Sequence, residues 1–272
     1  MYHIMEALGA RVYIKDGKVV KVEDTKLEYC PIYDKHRGIK KIDKDKIREN
    51  IEFRIKEFGL FTKNRKVIED KYIVPFGASE ILMSALKHKA LDCAVVVADC
   101  AGTVITSNPY LVQGLCGRIS GIIKTYPIKE VIERIEKHGG YVLNKDTAEI
   151  NQFEGVKKAI ELGYKRIAVT VTNSKDAKKI KSLENGDIKI LTFGVHLINI
   201  DKIEHFDIIT ACASKKTREV KPKLQIGKTI PIFALTDFGK NIILERVKDL
   251  DNVLITLEKL PVLSENQPKP LL

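Results

Sequence analysis

Five cysteines carry the most distinctive side-chain chemistry in this 272-residue chain. Cys100 and Cys212 each follow an apolar run and stand between small residues, in DCAG and ACAS. Ligands of open parallel sheets bind outside the carboxyl ends of the strands, so two such strands would bring both thiols to one edge. Cys116 lies in GLCGR, where Gly114 and Gly117 would let backbone amides approach a bound group. These three thiols are the first candidates for a site.

The thiols have three interpretations. Cys100, Cys116 and Cys212, with a histidine or carboxylate, would suit zinc or an iron–sulfur cluster. The chain has no C-x-x-C motif, and the spacings of these cysteines match no recognised ligand framework. A functional thiol without a metal is the second interpretation. Inert packing is the third, because cysteine is among the most buried residue types. Cys30, in a polar loop, is either a mobile fourth ligand or redox thiol, or an ordinary loop residue, whereas Cys93 belongs to the core.

A carboxylate and an imidazole near the same edge of the predicted sheet are the candidates for acid–base chemistry. Asp99 ends an apolar run, where partial desolvation would suit it to proton transfer. His196, in FGVHLIN, follows another predicted strand, and its pairing with either thiol would serve nucleophilic catalysis. A structural histidine is the alternative. The catalytic candidates are therefore Asp99, Cys100, Cys212 and His196.

Anion recognition is the competing interpretation of this region. Residues 214–228, SKKTREVKPKLQIGK, hold six basic side chains against one acidic. Amide donors at helix N-termini and basic groups would together hold phosphate or carboxylate. A solvated basic loop, and simple capping by Ser79, are the alternatives. The ligand-binding candidates are Gly77, Ser79, Gly102, Gly114, Gly117, Arg118, Ser214, Lys215 and Arg218.

Three regions are predicted along the chain. Residues 1–70 form an N-terminal appendage with a β-hairpin turning at Asp16-Gly17, a linker and a helix that Asp43 caps and Gly59 ends. Residues 71–260 alternate short apolar runs with amphipathic segments, which predicts an α/β domain with a mostly parallel, Rossmann-like sheet flanked by helices. Residues 261–272 form a flexible tail.

The elements of the α/β domain follow from their periodicity. The predicted strands are Cys93–Ala98, Tyr141–Leu143, Arg166–Val171, Ile188–Phe193, Asp207–Ala211, Ile230–Leu235 and Val253–Leu257. The predicted helices are Ser79–Lys89, Ile128–Lys137, Gln152–Leu162, Lys175–Leu183 and Asp237–Val247. Nearly continuous apolar runs such as DCAVVVAD predict strands covered on both faces.

Composition narrows the class of protein. Lys and Arg number 47 against 36 Asp and Glu, a net charge of +11 that favours an anionic partner and is also typical of chains from heat-loving organisms. Nucleic acid is disfavoured because aromatic residues are not interleaved with the basic runs. The sequence shows neither a signal peptide nor a membrane span. We expect a soluble cytoplasmic protein with reduced thiols.

Several separated motifs together resemble one family. VPFGASEILMSAL, LVQGLCGRISG, EGVKKAIELGYKRIAVTV, ITACASKKTREV and FALTDFGK are similar to the archaeal methanogenesis marker protein 8 family. The resemblance implies a reducing, anaerobic cytoplasm and a role in maturation or activation of methyl-coenzyme M reductase, or in handling its cofactors. It supplies neither a reaction nor catalytic residues. A non-enzymatic assembly factor, docking on a partner protein of methanogenesis through its basic face, is the alternative.

Overall fold

The structure is a computed structural model that describes residues 1–25, 27–197, 202–212, 215–227 and 231–253. Its elements follow one another in this order: β1 (His3–Ala7), β2 (Ala10–Lys15), β3 (Lys18–Val22), α1 (Pro31–Arg37), α2 (Lys44–Phe58), α3 (Ala78–Lys87), β4 (Cys93–Ala98), β5 (Gly102–Thr106), α4 (Pro109–Cys116), β6 (Gly121–Lys124), α5 (Lys129–Lys137), β7 (Gly140–Val142), α6 (Gln152–Glu161), β8 (Arg166–Val171), α7 (Ser174–Lys181), β9 (Lys189–Gly194), β10 (Ile208–Thr210), α8 (Lys215–Glu219), β11 (Leu224–Ile226), β12 (Ile232–Ala234) and α9 (Asp237–Val247).

A small antiparallel sheet has the strand order β3-β2-β1-β6. The hairpin at Asp16-Gly17 is confirmed, and both turn residues have positive φ, as a two-residue turn matching the strand twist requires. Strand β1 is not among the predicted elements; it pairs with β2 through a similar turn at Leu8-Gly9. Strand β6 is not among them either; it pairs with β1 although it lies beyond residue 70. The domain boundaries therefore stay a prediction.

Helix α2 covers the inner face of the small sheet. Asp43 caps it by accepting a hydrogen bond from the Lys46 amide at 2.8 Å, and Gly59 ends it with φ 67°. Ile47 and Ile51 of this helix are buried with the inward residues of the strands. The predicted linker before it is wrong in one part, because residues 31–37 form the short helix α1. Pro31 at the first helical turn is compatible with this, since its missing amide donor is not needed there.

The larger sheet is mixed, in the order β11-β12-β10-β9-β8-β4-β5-β7. Its centre, β10-β9-β8-β4, has three parallel pairings, whereas the four pairings outside the centre are antiparallel. The prediction of a mostly parallel, Rossmann-like sheet is therefore not confirmed. The physical reason is local: β4 turns back through residues 99–101 and pairs with β5, with Ala98 opposite Gly102. A crossover helix at this point would have been needed for a parallel neighbour.

The central strands are covered on both faces, as their apolar runs predict. Alternate residues of β4 enter two different hydrophobic cores, Ala94 and Val96 on one side and Cys93 and Val95 on the other. The core position of Cys93 is thus confirmed. Part of the predicted strand at 253–257, and the whole predicted tail at 261–272, lie outside the described residues. Within the part of the chain that is described, no helix combines the length and apolarity needed to cross a membrane.

Candidate functional site

Asp99 lies in the tight turn between β4 and β5 and is fully buried. One carboxylate oxygen accepts a hydrogen bond from Arg65 Nε at 2.7 Å, and the other accepts one from the Phe61 amide at 2.7 Å. Arg65 is buried as well and donates onward to the carbonyl oxygens of Gly114 and Leu115. The carboxylate predicted for proton transfer is thus an anchor that ties three chain segments together, in a pair with a buried guanidinium.

Cys100 adopts a left-handed backbone conformation, φ 67°, in the same turn, and its side chain is fully buried. Its amide donates to Thr125 Oγ1 at 2.8 Å, and that hydroxyl lies 2.9 Å from His3 Nδ1. Burial raises the pKa of the Cys100 thiol well above its ordinary value, with the charge of Asp99 acting in the same direction. The thiol is therefore protonated and sealed, which does not suit a nucleophile or metal ligand.

Three glycines of the predicted ligand loops leave space that protein backbone fills. A Cβ atom at Gly102 would clash with the carbonyl group of Ala148, and one at Gly114 would clash with that of Val67. A Cβ at Gly117 would lie 2.6 Å from the carbonyl oxygen of Gln113 and 2.8 Å from the Ile73 side chain. The approach expected of a ligand is thus made by neighbouring chain segments.

At the start of α3, the space beside a predicted ligand-binding glycine is likewise filled by the protein itself. A Cβ at Gly77 would clash with the side chain of Glu80, which is 2% exposed. The carboxylate of Glu80 accepts hydrogen bonds from the Ser79 hydroxyl at 2.9 Å and from Gln113 Nε2 at 3.0 Å, as well as from two backbone amides. Glu80 thus stands where Gly77 and Ser79 were expected to bind an anion. Glu80 is not among the predicted site residues, although an acidic residue in the first turn of a helix is a common capping signal.

His196 lies at the carboxyl end of the larger sheet, two residues beyond β9, and reaches the small sheet. Its Nδ1 is 3.4 Å from a carboxylate oxygen of Glu6 on β1. Glu6 is paired in register with Gly121 of β6, and a Cβ at that glycine would lie 3.8 Å from the imidazole ring. The imidazole is 41% exposed on its side-chain surface. The small sheet therefore adjoins the carboxyl edge of the larger one at this point.

A second polar group lines the same junction. Arg54 of α2 donates to the Tyr33 hydroxyl and to Ser120 Oγ at 3.1 Å. The Tyr33 hydroxyl in turn donates to Asn50 Oδ1 at 2.9 Å. Burial raises the pKa of Tyr33, and the neighbouring Arg54 opposes this; Cys30 and Glu6 are among the groups that act on it electrostatically. Helices α1 and α2 therefore contribute to the junction beside His196.

Cys212 follows β10, the strand next to β9, and its side chain is exposed. Desolvation by the surrounding protein raises the pKa of this thiol, and the Cys30 thiol acts in the same direction; together they bring it to about 11. Arg218 of α8 donates to the Cys212 carbonyl at 3.4 Å. Desolvation lowers the pKa of Arg218, and its Nε has no hydrogen-bond partner among the described residues.

We call this junction the rim site. It is formed by chemically reactive or charged side chains from both sheets and from α1, α2 and α8: Glu6, Cys30, Tyr33, Arg54, His196, Cys212 and Arg218. Of the predicted site residues it contains Cys212, His196 and Arg218. Glu6, Tyr33 and Arg54 were missed because no motif marks them. The pairing of β1 with β6 places Glu6, and the hydrogen bonds of Arg54 with Tyr33 and Ser120 place the other two.

The other predicted residues lie elsewhere. Arg118 forms an ion pair with Glu69 at 2.9 Å and its guanidinium stacks over the Phe58 ring, so these contacts already engage its charge outside the rim site. Lys215 is the first residue of α8. Ser214 lies outside the described residues.

Cys100 and Cys212 do leave parallel strands at the same edge of one sheet. However, β8 and β9 stand between β4 and β10, and three strand spacings place the strand ends roughly 14 Å apart. Among the described residues, no group of three or more His, Cys, Asp or Glu side chains is placed to hold a metal ion. Cys100, Cys116 and Cys212 therefore do not gather into one cluster. The geometry instead brings His196 to Glu6.

Comparison with known proteins gives one family and one close relative. Residues 3–248 match the family described as "Uncharacterized protein conserved in archaea (DUF2099)". The chain is 72% identical over 278 residues to "Uncharacterized protein MJ0054" of Methanocaldococcus jannaschii, with 99% of each chain covered. No solved structure is significantly similar to the chain.

Proposed function

The chain belongs to the archaeal DUF2099 family, and we propose that its rim site binds an anionic small molecule in the cytoplasm of a methane-forming cell. The relative in Methanocaldococcus jannaschii is a protein of a methanogen, which supports this setting. The resemblance of the motifs to methanogenesis marker protein 8 supports a role in maturing or activating methyl-coenzyme M reductase, or in handling its cofactors.

Arg218 is the observation that carries the proposal. Its Nε is buried and has no hydrogen-bond partner among the described residues, and its Nη2 donates a long hydrogen bond, 3.4 Å, to the Cys212 carbonyl. A buried donor without an acceptor costs about 1–3 kcal/mol. A carboxylate or phosphate oxygen would supply that acceptor, and would also neutralise a guanidinium whose charge is partly desolvated.

The charge around Arg218 supports the same ligand class. The rim site contains two guanidinium groups, Arg54 and Arg218, and an imidazole, against the one carboxylate of Glu6. That carboxylate already accepts a hydrogen bond from the Gly9 amide at 2.6 Å and lies beside His196. An anion would therefore meet a positive field, which raises its local concentration and its rate of arrival.

Binding of small anions to two matched variants tests the proposal. We expect inorganic phosphate or succinate, titrated calorimetrically, to bind the wild-type protein, and Arg218→Ala to bind roughly tenfold or more weakly. Lys216→Ala removes an exposed positive charge from the same helix and should bind as the wild type does. Equally weakened binding in both variants would show that the anion responds only to the overall positive charge of the helix, which contradicts a specific role of Arg218. The proposal is also contradicted if neither anion binds to the wild-type protein.

A second candidate rests on the exposed lysines of the same region. Lys216 and Lys221 both face solvent and would let α8 dock on an acidic partner protein without any reaction. Reversing the charge of Lys215, Lys216 and Arg218 should then abolish co-purification with the partner. Retained co-purification would exclude this docking mode.

A further inference from the structure

We propose that His88 forms a proton-dependent clamp with Glu245 and Asp249, which holds the C-terminal end of α9 against the C-terminal end of α3. The doubly protonated imidazole closes the clamp, and loss of one ring proton loosens the end of α9. The clamp uses no residue of the rim site and does not depend on a bound anion.

The imidazole of His88 lies between two carboxylates. Its Nδ1 is 3.0 Å from Glu245 Oε2, and its Nε2 is 3.1 Å from Asp249 Oδ1. All three side chains are mostly buried. A neutral imidazole has one N–H and one lone pair, so one ring nitrogen would face a carboxylate oxygen without a proton between them. The imidazolium donates from both nitrogens and therefore satisfies both contacts.

The surroundings of Asp249 keep its carboxyl group ionised. The Tyr72 hydroxyl donates a hydrogen bond to Asp249 Oδ2 at 2.5 Å. Desolvation opposes ionisation of Asp249, but hydrogen bonds from Ser84 and Tyr72 outweigh it and lower the pKa of this carboxyl below its ordinary value. The charge of His88 acts in the same direction as these hydrogen bonds. The proton between the two groups therefore belongs to the imidazole.

The ends of both helices favour a cation at this position. His88 is the C-cap of α3, Glu245 lies in the last turn of α9, and Asp249 lies two residues beyond that helix. The C-terminal end of a helix carries a partial negative charge, which stabilises cations and destabilises carboxylates. Two carboxylates four residues apart also repel each other. The imidazolium offsets both effects at once.

Three other cations face the same carboxylates. Lys248 Nζ lies 2.7 Å from Glu245, and Lys87 Nζ and Arg246 Nη1 each lie 4.0 Å from Asp249. Lysine and arginine keep their charge between pH 6 and pH 9, whereas an imidazole changes its charge in this range. The fixed charges therefore reduce the repulsion that follows loss of the ring proton, but they do not respond to pH.

Opening of the clamp should be local, because other contacts still hold α9. Ile242 and Ile243 are buried in the same hydrophobic core as Ala85 of α3. Arg246 Nε donates to the Pro75 carbonyl at 2.8 Å. The contribution of the clamp to stability is complete below about pH 6.5, where a histidine of the unfolded chain is charged as well. It is lost as the pH rises and the folded protein releases the ring proton.

Hydrogen exchange of the peptide that spans residues 237–250 tests the clamp. The wild type and His88→Gln are compared at the same pH, so that the intrinsic exchange rate cancels. Glutamine is neutral at every pH and cannot donate to both carboxylates as the imidazolium does. We expect the amides at the end of α9 to exchange about tenfold faster in the variant at pH 6, and equally fast in both proteins at pH 9.

A matched control and a measurement on the wild type complete the test. His138 is the C-cap of α5 and is exposed, and it forms no ion pair among the described residues, so His138→Gln should exchange as the wild type does. Nitrogen NMR of the wild type should show both ring nitrogens of His88 protonated at pH 7. The proposal is overturned if this ring carries a single proton at pH 7, if His88→Gln exchanges as the wild type does at pH 6, or if its exchange is accelerated equally at pH 6 and pH 9.

Discussion

At the residue scale, two cysteines with similar local sequences differ in their exposure to solvent. Cys100 and Cys212 both follow an apolar strand and stand between small residues, yet Cys100 is fully buried and Cys212 is exposed. The difference comes from what covers each strand end. Residues 99–101 turn back into β5, and the Cys100 amide donates to Thr125, which is hydrogen-bonded to His3. Strand β10 instead lies next to β9, after which His196 contacts the small sheet.

Alkylation should therefore discriminate between these two thiols. Because the pKa of Cys212 is raised to about 11, its rate of reaction with iodoacetamide should rise about tenfold for each pH unit between pH 7 and pH 10. Cys100 should stay unmodified throughout in the folded protein. Peptide mass mapping at several pH values checks this, and equal labelling of both cysteines would contradict the burial of Cys100.

The buried pair of Asp99 with Arg65 predicts a large loss of stability. Asp99→Asn leaves a buried guanidinium without its counter-charge, and we expect the free energy of unfolding to fall by about 3–5 kcal/mol. Arg65→Met should have a similar effect, and the double variant should lose less than the sum of the two. Guanidinium chloride unfolding measures all three. Additive losses would show that the two groups do not act as a pair.

The sequence pattern selected several residues at the carboxyl end of the larger sheet, but it did not predict their surroundings. Asp99, Cys212 and His196 were selected because each follows a buried strand, and that periodicity is a local property. Whether such a residue faces solvent depends on segments distant in the chain, such as β1 and β6, which cover the sheet edge. Glu6 and Arg54 lie far from His196 in sequence, so spacing could not connect them.

At the element scale, close packing between segments explains the glycines of the GLCGR segment. Gly114 on α4 lets the backbone at Val67 approach so closely that a Cβ would overlap its carbonyl. The same helix provides the carbonyl oxygens at 114 and 115 that Arg65 binds. The glycine is thus needed for the contact of α4 with the segment that follows α2.

Replacing this glycine with alanine should be costly for that reason. We expect Gly114→Ala to lower the free energy of unfolding by about 1–3 kcal/mol or more, since the added methyl group meets rigid backbone. Gly186→Ala is the matched control, because a Cβ there meets nothing within 4 Å. The midpoints of thermal unfolding of both variants measure this loss of stability. An unchanged midpoint for Gly114→Ala would mean that α4 can move away without loss.

Element prediction succeeded where burial and capping agree along one segment. Cys93–Ala98, Arg166–Val171 and Asp237–Val247 have the predicted bounds. It failed at the turn between β4 and β5, where a non-glycine residue, Cys100, adopts positive φ. Only tertiary contacts stabilise that conformation. The sheet was expected to be parallel because this turn was not recognised.

At the scale of the whole molecule, His3 helps to join the small sheet to the larger one. Its imidazole is hydrogen-bonded to Thr125 and packs 5.2 Å, between ring centroids, from Phe61. Burial lowers the pKa of His3 below its ordinary value of 6.5, with the charge of Asp99 opposing the shift. The folded protein therefore binds this proton less readily than the unfolded chain does.

The junction should consequently weaken in acid. As the pH falls below about 6.5, the unfolded chain takes up a proton at His3 that the folded protein resists, so the free energy of unfolding decreases. His3→Gln should remove this contribution, so the stability difference between the two proteins should narrow from pH 7.5 to pH 5. Denaturant unfolding at both values checks the sign. A gap that widens in acid would contradict the direction of the shift.

The central claim is that residues from both sheets meet in one rim site, and a cross-link between introduced thiols tests it most directly. In the double variant Glu6→Cys, His196→Cys, a short bismaleimide should join position 6 to position 196 within a single chain, because the two wild-type side chains approach to 3.4 Å. If the folded variant gives only separate adducts at these two positions, or a link to a different cysteine, the junction is not arranged as described.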